Sequence, residues 1–119
     1  MEKEQRKISG RLLNFGVNIV KITIELNKSL IGKTIGKQLL RSGTSAGANY
    51  EETYGAESRT DFIHKLQLVL KELRESLYRL NLIMKSEILK NSNLNSMIDE
   101  TEQLCKIIAQ SVITAKNNR

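Results

Sequence analysis

The stretch RSGTSAGANYEE, Arg41–Glu52, constrains this chain more than any other, because seven successive residues in it, Ser42 to Ala48, carry nothing larger than a threonine side chain. Such a composition suits a flexible linker, but the spacing predicts a helix. At about 100° per residue, Ile35, Leu39, Ala46, Tyr50 and Tyr54 share one side, while Arg41, Ser45, Asn49 and Glu52 share another. A linker has no reason to sort its residues by side. A helix this bare lets a neighbouring backbone come close. Gly36, Gly43 and Gly47 each cost about 1 kcal/mol against alanine inside a helix, and close packing against another helix is the natural offset.

The 119 residues suit a single domain, 1–119, whose core must be built from Leu and Ile because aromatics are few and Trp is absent. Proline is absent and no Val/Thr/aromatic alternation persists, so the expected class is all-α. The single Cys105 excludes an intramolecular disulfide. No apolar run approaches the roughly 18–20 residues of a membrane span. The start, MEKEQRK, has no apolar segment behind it that would make a secretory signal. These features predict a cytoplasmic protein without a membrane partner.

Four helices are expected. The first runs from about Gln5 to Leu26, with Ile8, Leu12, Phe15, Ile19, Ile22 and Leu26 as a bundle seam. Asn27 to Lys33 is a connection punctuated by Gly32, and the second helix covers about Thr34 to Tyr54, stopped by Gly55 and Ala56. The third starts near Ser58, with Ser58 and Asp61 forming a variant capping box, and extends to Leu89. Its stripe is Phe62, Leu66, Val69, Leu73, Leu77, Leu80 and Met84, widened by Ile63 and Leu70, and its i,i+4 charge pairs are Asp61–Lys65, Lys71–Glu75 and Glu75–Arg79. After a polar loop, Asn91 to Asn95, the fourth carries Leu94, Met97, Ile98, Leu104, Cys105, Ile108, Val112 and Ala115. Short loops between long helices favour antiparallel neighbours, hence an antiparallel up-down-up-down four-helix bundle.

The first helix has a second seam, Leu13, Val17, Val20 and Ile24. With the first seam it spans an apolar arc of roughly 220°, whereas one partner face needs only about 100° or a little more. The surplus is the expected oligomer interface, met by another copy of the chain. A larger core within one molecule is the alternative.

The charge is uneven. Residues 1–50 hold nine Lys/Arg against three Glu, and residues 51–119 hold ten of each sign, so the whole excess of +6 sits in the first part. The nucleic-acid-binding candidates are Arg6, Lys7, Arg11, Lys21, Lys28, Lys33, Lys37 and Arg41, of which Lys28, Lys33 and Lys37 cluster at the turn between the first two helices. Such a face attracts nucleic acid or an acidic protein, or is simply a solvated lysine-rich surface. No exposed aromatics are interleaved with these bases, so the pattern does not support stacking on single strands.

Reaction chemistry is not legible. Gly32-Lys33-Thr34 resembles the end of a phosphate-binding loop, but Asn27 stands where that motif needs glycine, and a helix rather than a strand precedes it. His64, the only histidine, lies on the polar side of the third helix without an identifiable nucleophile. One His and one Cys give no metal-ligand spacing, and Glu51, Glu52, Glu57 and Asp61 read as ordinary helix acids. Cys105 reads as a small core residue. No catalytic residue, metal or cofactor is expected. The row Arg41, Ser45, Asn49 and Glu52 has three readings: a polar seam fixing register between helices or subunits, part of a binding surface, or a plain solvent face.

Residues 35–83 resemble the bacterial four-helix bundle family that includes the 23S ribosomal RNA intervening-sequence protein. The marks are Gln38, Leu39, Arg41, Ser42, Ser45, Ala48, Asn49 and Glu52, then Ser58-Arg59-Thr60-Asp61-Phe62, Lys65-Leu66, and Glu72, Glu75-Ser76 and Tyr78. The remaining helices match in length and polarity. The resemblance implies an antiparallel bundle assembled as a homopentamer in a five-fold ring, a setting within insertions of ribosomal RNA genes for some members, and a relation to accessory proteins of diversity-generating retroelements. It implies no enzymatic activity and mainly structural motif residues.

The expected function is therefore that of a non-enzymatic oligomeric bundle binding RNA or a ribonucleoprotein through a basic surface of the first two helices. The alternatives are an accessory subunit docking on a reverse transcriptase or another protein, and a structural oligomer with no nucleic-acid role.

Overall fold

The computed structural model describes residues 2–90 and 93–118, and among these the regular structure is entirely helical. Helix α1 spans Glu2–Leu26, α2 Leu30–Glu52, α3 Arg59–Ser86 and α4 Leu94–Asn117. The small-residue run is helical throughout, inside α2.

The boundaries follow from capping. Helix α1 starts three residues before the expected Gln5, with Glu2 and Glu4 in the first turn, where acids favour the helix dipole. Helix α2 starts four residues before the expected Thr34, because Ser29 caps it by accepting the Gly32 N–H at 3.0 Å. The connection therefore shrinks to Asn27–Ser29, and Gly32 belongs to the first helical turn. It is glycine for a packing reason: a Cβ there would collide with the Leu26 carbonyl oxygen. Helix α2 stops at Glu52 and tightens into one 3₁₀ turn, Thr53–Gly55, so Tyr54 lies beyond the helix.

Ser58 caps α3 as expected, accepting the Asp61 N–H at 3.1 Å. The return bond is displaced by one residue, since the Asp61 carboxylate accepts the Glu57 N–H at 3.2 Å rather than that of Ser58. Helix α3 ends three residues short of the expected Leu89, where Glu87 turns into the left-handed region at φ 56°. Asn91 and Ser92, both in the polar loop expected to cap α4, lie outside the described residues, and Asn93 occupies the cap position.

Each helix packs chiefly on its successor, and α1 and α4 touch more sparingly, in a rod of 48 × 21 × 20 Å. The glycines explain how close α1 and α2 lie. A Cβ on Gly43 would sit 2.7 Å from Ile19 Cγ1, one on Gly36 3.3 Å from Leu26 Cβ, and one on Gly47 3.6 Å from Leu12 Cβ. The three helix-weakening glycines are thus the places where α1 side chains enter α2.

The α1 seam is buried as expected, and so are Leu39, Ala46 and Tyr50 of α2, while Ile35 is half-buried and Tyr54 exposed. On α3 the buried stripe is rotated from the expected one. Ile63, Leu66, Val69, Leu73, Leu80 and Ile83 are buried together with Glu72 and Ser76, whereas Phe62, Leu70, Leu77 and Met84 are only half-buried. Helix α3 packs on α2 on one side and α4 on the other, and the slim α2 surface lets polar residues of α3 turn inward. Helix α4 buries its expected residues plus Thr101, which donates to the Met97 carbonyl, but Cys105 is half-buried at the edge of the core.

Candidate nucleic-acid interface

The eight candidate bases do not form one patch, and two of them are already engaged within the chain. The Arg11 guanidinium grips Glu100 of α4 with two hydrogen bonds, Nε to Oε2 at 3.0 Å and Nη2 to Oε1, and also donates to Gln103 at 3.2 Å. The fork ties α1 to α4 where their packing is sparse. Arg41 reaches from α2 to α3 and bridges Glu72, at 2.8 Å through Nη1, and Glu75. Hydrogen bonding to Glu72 comes first among the interactions that raise the Arg41 guanidinium above its ordinary value. Burial by itself would raise the Glu75 carboxyl, but the bonds and charge of Arg41 and then Arg79 outweigh it and hold the group below the usual carboxylate range. Arg11 and Arg41 are therefore ties between helices, with their guanidinium groups already engaged by carboxylates of the same chain.

The remaining six are exposed and form no ion pair among the described residues. Lys28, Lys33 and Lys37 gather at the α1–α2 turn, with Lys21 about two turns up α1 from it. Arg6 and Lys7 lie near the opposite end of α1, about 30 Å away at 1.5 Å per residue.

Of the row Arg41, Ser45, Asn49 and Glu52, Arg41 performs the inter-helix bonding. Ser45 and Asn49 are half-buried and Glu52 is exposed at the helix end. Polar bonds between α2 and α3 run through Gln38, which accepts from Arg79 at 3.3 Å, through Arg41, and through Ser42, which meets Ser76 at 2.8 Å in full burial. Ser42 lies outside the expected polar row, and its position three after Leu39 and four before Ala46 places it on the core side. A second tie carried no local signal: Arg59, in the first turn of α3, donates to the Ala115 carbonyl at 2.9 Å, in the last turn of α4. A cation at the C-terminal end of a helix meets orphan carbonyls and the negative end of the dipole.

Two expected i,i+4 pairs form, Asp61–Lys65 at 3.3 Å and Glu75–Arg79 at 3.5 Å. The expected Lys71–Glu75 pair does not, because Glu75 is taken by Arg41 and Arg79.

The second seam of α1 is uncovered within the protomer. Leu13 is 68% exposed, Val17 43%, Val20 42% and Ile24 66%. A groove of about 590 Å³ opens beside it, lined by Leu13, Gly16, Val17 and Val20 of α1 and by Thr44, Gly47, Ala48 and Glu51 of α2. The small residues that admit α1 on one side leave this hollow on the other. Leu30 and Ile31, within the expected connection Asn27 to Lys33, also stand exposed at the start of α2.

His64 is exposed on α3, and Cys105 has its thiol pushed up by burial, partly countered by Arg74. No group of three or more His, Cys, Asp or Glu that could hold a metal forms among the described residues. No helix among them is long and apolar enough to cross a membrane.

Among the described residues these features define a small all-α, four-helix protein with an uncovered apolar helix face and a cluster of exposed lysines at one end. The chain belongs to the 23S rRNA-intervening sequence protein family, which it matches over residues 4–110. It is similar to the crystal structure of a protein of unknown function from the S23 ribosomal protein family of Bacteroides thetaiotaomicron. The two share 33% identity and a TM-score of 0.83, over 91% of this chain and 96% of that one. Among curated proteins no relative matches.

Proposed function

We propose that this chain is a non-enzymatic bundle of antiparallel, up-down-up-down helices that assembles with copies of itself and binds RNA, or a ribonucleoprotein, through lysines at the α1–α2 turn. The observation that carries the reading is the group Lys28, Lys33 and Lys37, exposed together and without ion pairs among the described residues, in a chain of net charge +6. Once Arg11 and Arg41 are discounted as ties, the binding set becomes Lys21, Lys28, Lys33 and Lys37, with Arg6 and Lys7 at the far end.

Antiparallel order is supported by the way contacts run in opposite senses along the chain: Leu12 against Gly47, Ile19 against Gly43 and Leu26 against Gly36. Self-assembly is supported by the uncovered Leu13, Val17, Val20 and Ile24, and the family resemblance supplies a homopentameric ring as the form. A ring would repeat the lysine cluster around one rim, multiplying weak phosphate contacts. Membership of a family named for an insertion in 23S ribosomal RNA favours RNA as the polyanion.

The test is a salt titration of binding to structured ribosomal RNA fragments. Affinity should fall linearly in log–log form with salt, and replacing Lys28, Lys33 and Lys37 with Glu should weaken it and flatten the slope. An affinity indifferent to salt would remove the phosphate-contact account.

A further inference from the structure

We propose that the outward ridge of α3, centred on Tyr78 and flanked by Lys71, Arg74 and Lys85, is a contact surface for single-stranded RNA, with a base stacked on Tyr78 and phosphates held by the three cations. The proposal rests on the reading that this chain binds RNA, but it places the strand on a different surface from the lysines of the α1–α2 turn.

The ridge arises from charge sorting that the sequence conceals. Residues 51–119 are neutral in sum, yet every carboxylate of α3 is engaged inside the fold. Asp61 pairs with Lys65, Glu72 with Arg41, and Glu75 with Arg41 and Arg79. Arg41 comes from α2 and holds Glu72 and Glu75 toward it. Glu75 lies about 40° round the helix from Lys71, and Glu102 of α4 lies near enough to act with Arg74 on the Cys105 thiol. The arc from Arg74 to Lys71 carries no carboxylate of α3 itself. Lys71, Arg74 and Lys85 stand exposed there and form no ion pair among the described residues. At 100° per residue, Lys71, Arg74, Tyr78 and Lys85 lie within about 60° of one another, spread over roughly 21 Å of helix.

Tyr78 is 68% exposed, with half-buried Leu77 and Arg79 beside it. A large ring held out among exposed cations has a π-face for a base, and alternating stacking and charge is how single strands are held without sequence preference. The alternative occupant, another copy of this chain, is disfavoured on this face. Lysine is depleted from interface cores, and an identical partner also carries +6. The apolar α1 face offers a better self-contact.

The experiment measures fluorescence anisotropy of a short labelled oligouridine and of an RNA duplex of equal length, with wild type, Tyr78→Ala, Tyr78→Trp and the pair Lys33→Glu/Lys37→Glu. Circular dichroism and sedimentation check fold and mass. Tyr78→Ala should weaken oligouridine binding about five- to hundredfold, leave duplex binding unchanged, and be rescued by Tyr78→Trp. Wild-type affinity in Tyr78→Ala, no oligouridine binding by wild type, or an altered oligomer mass with unaltered affinity would each overturn the ridge. If Lys33→Glu/Lys37→Glu loses RNA while Tyr78→Ala does not, the ridge fails and the turn cluster stands. If only Tyr78→Ala loses oligouridine, the ridge stands and the turn cluster fails.

Discussion

Ser42 and Ser76 meet hydroxyl to hydroxyl at 2.8 Å between α2 and α3, and neither exposes any surface. Each hydroxyl also reaches a carbonyl of its own helix, Ser76 that of Glu72 at 2.9 Å and Ser42 that of Leu39 at 3.3 Å, so either can donate across the gap while the other donates to its backbone. The pair lies one turn from the Arg41–Glu72 bridge, and together they fix where α2 sits against α3. Replacing Ser42 with Ala should cost about 1 kcal/mol, and replacing it with Leu should cost about 1–3 kcal/mol through overpacking. In a double-mutant cycle by urea denaturation, Ser42→Ala/Ser76→Ala should lose less than the sum of the single changes. Strict additivity would show that the hydroxyls are not coupled.

Gly43 and Gly10 should respond oppositely to alanine. A Cβ on Gly43 would fall 2.7 Å from Ile19 Cγ1 and 2.9 Å from Cγ2, on a β-branched side chain that is completely buried. The strain of about 1–3 kcal/mol exceeds the gain of about 1 kcal/mol in helix propensity, so Gly43→Ala should lower the denaturation midpoint. Nothing lies within 4 Å of a Cβ at Gly10, so Gly10→Ala should raise stability by up to about 1 kcal/mol.

Replacing Val17 and Val20 with Glu should reduce the mass seen in sedimentation and leave the helical circular dichroism largely unchanged. Both residues are more than two-fifths exposed in the protomer, so two carboxylates there meet water in a lone molecule and lose solvation only in an assembly. Unfolding of the variant, or a wild type already monomeric, would place no partner on this face.

Tyr50 predicts an alkaline limit. Burial, then the neighbouring Tyr54, Glu51 and Glu4, push its phenol up to about 12. In the unfolded chain it ionises near the ordinary value of about 10. The folded state therefore holds the proton longer. Stability is full below pH about 10 and falls as pH rises toward about 12, by on the order of 2 kcal/mol. Tyr50→Phe should flatten this decline in denaturation measured across that range, while an unchanged slope would assign it to other groups.

The local physics of this fold is legible in the sequence. The α1 seam, the helicity of the bare α2 run and the uncovered second seam follow from periodicity, because a helix face is a property of neighbouring positions in one chain, and the Ser58 cap follows from a capping pattern equally local. Helix α2 starts four residues before the expected Thr34, because Gly32, which reads as punctuation, serves instead to clear the Leu26 carbonyl on another helix. Arg41 and Arg11 read as surface cations for the same reason. Their acids, Glu72 and Glu100, are 31 and 89 residues away, and no spacing rule connects them.

The sequence by itself determined the class, the number of helices and which residues of α1 exceed what one protomer can cover, since side-chain size and a fixed angular step are sufficient for those. Only the tertiary structure decided which charges survive on the surface. A salt bridge removes a cation from the set available to a partner, and its existence depends on where two distant helices bring their side chains. That is why a neutral half of the chain presents a basic ridge on α3, while two arginines from the basic half are turned to holding the bundle together.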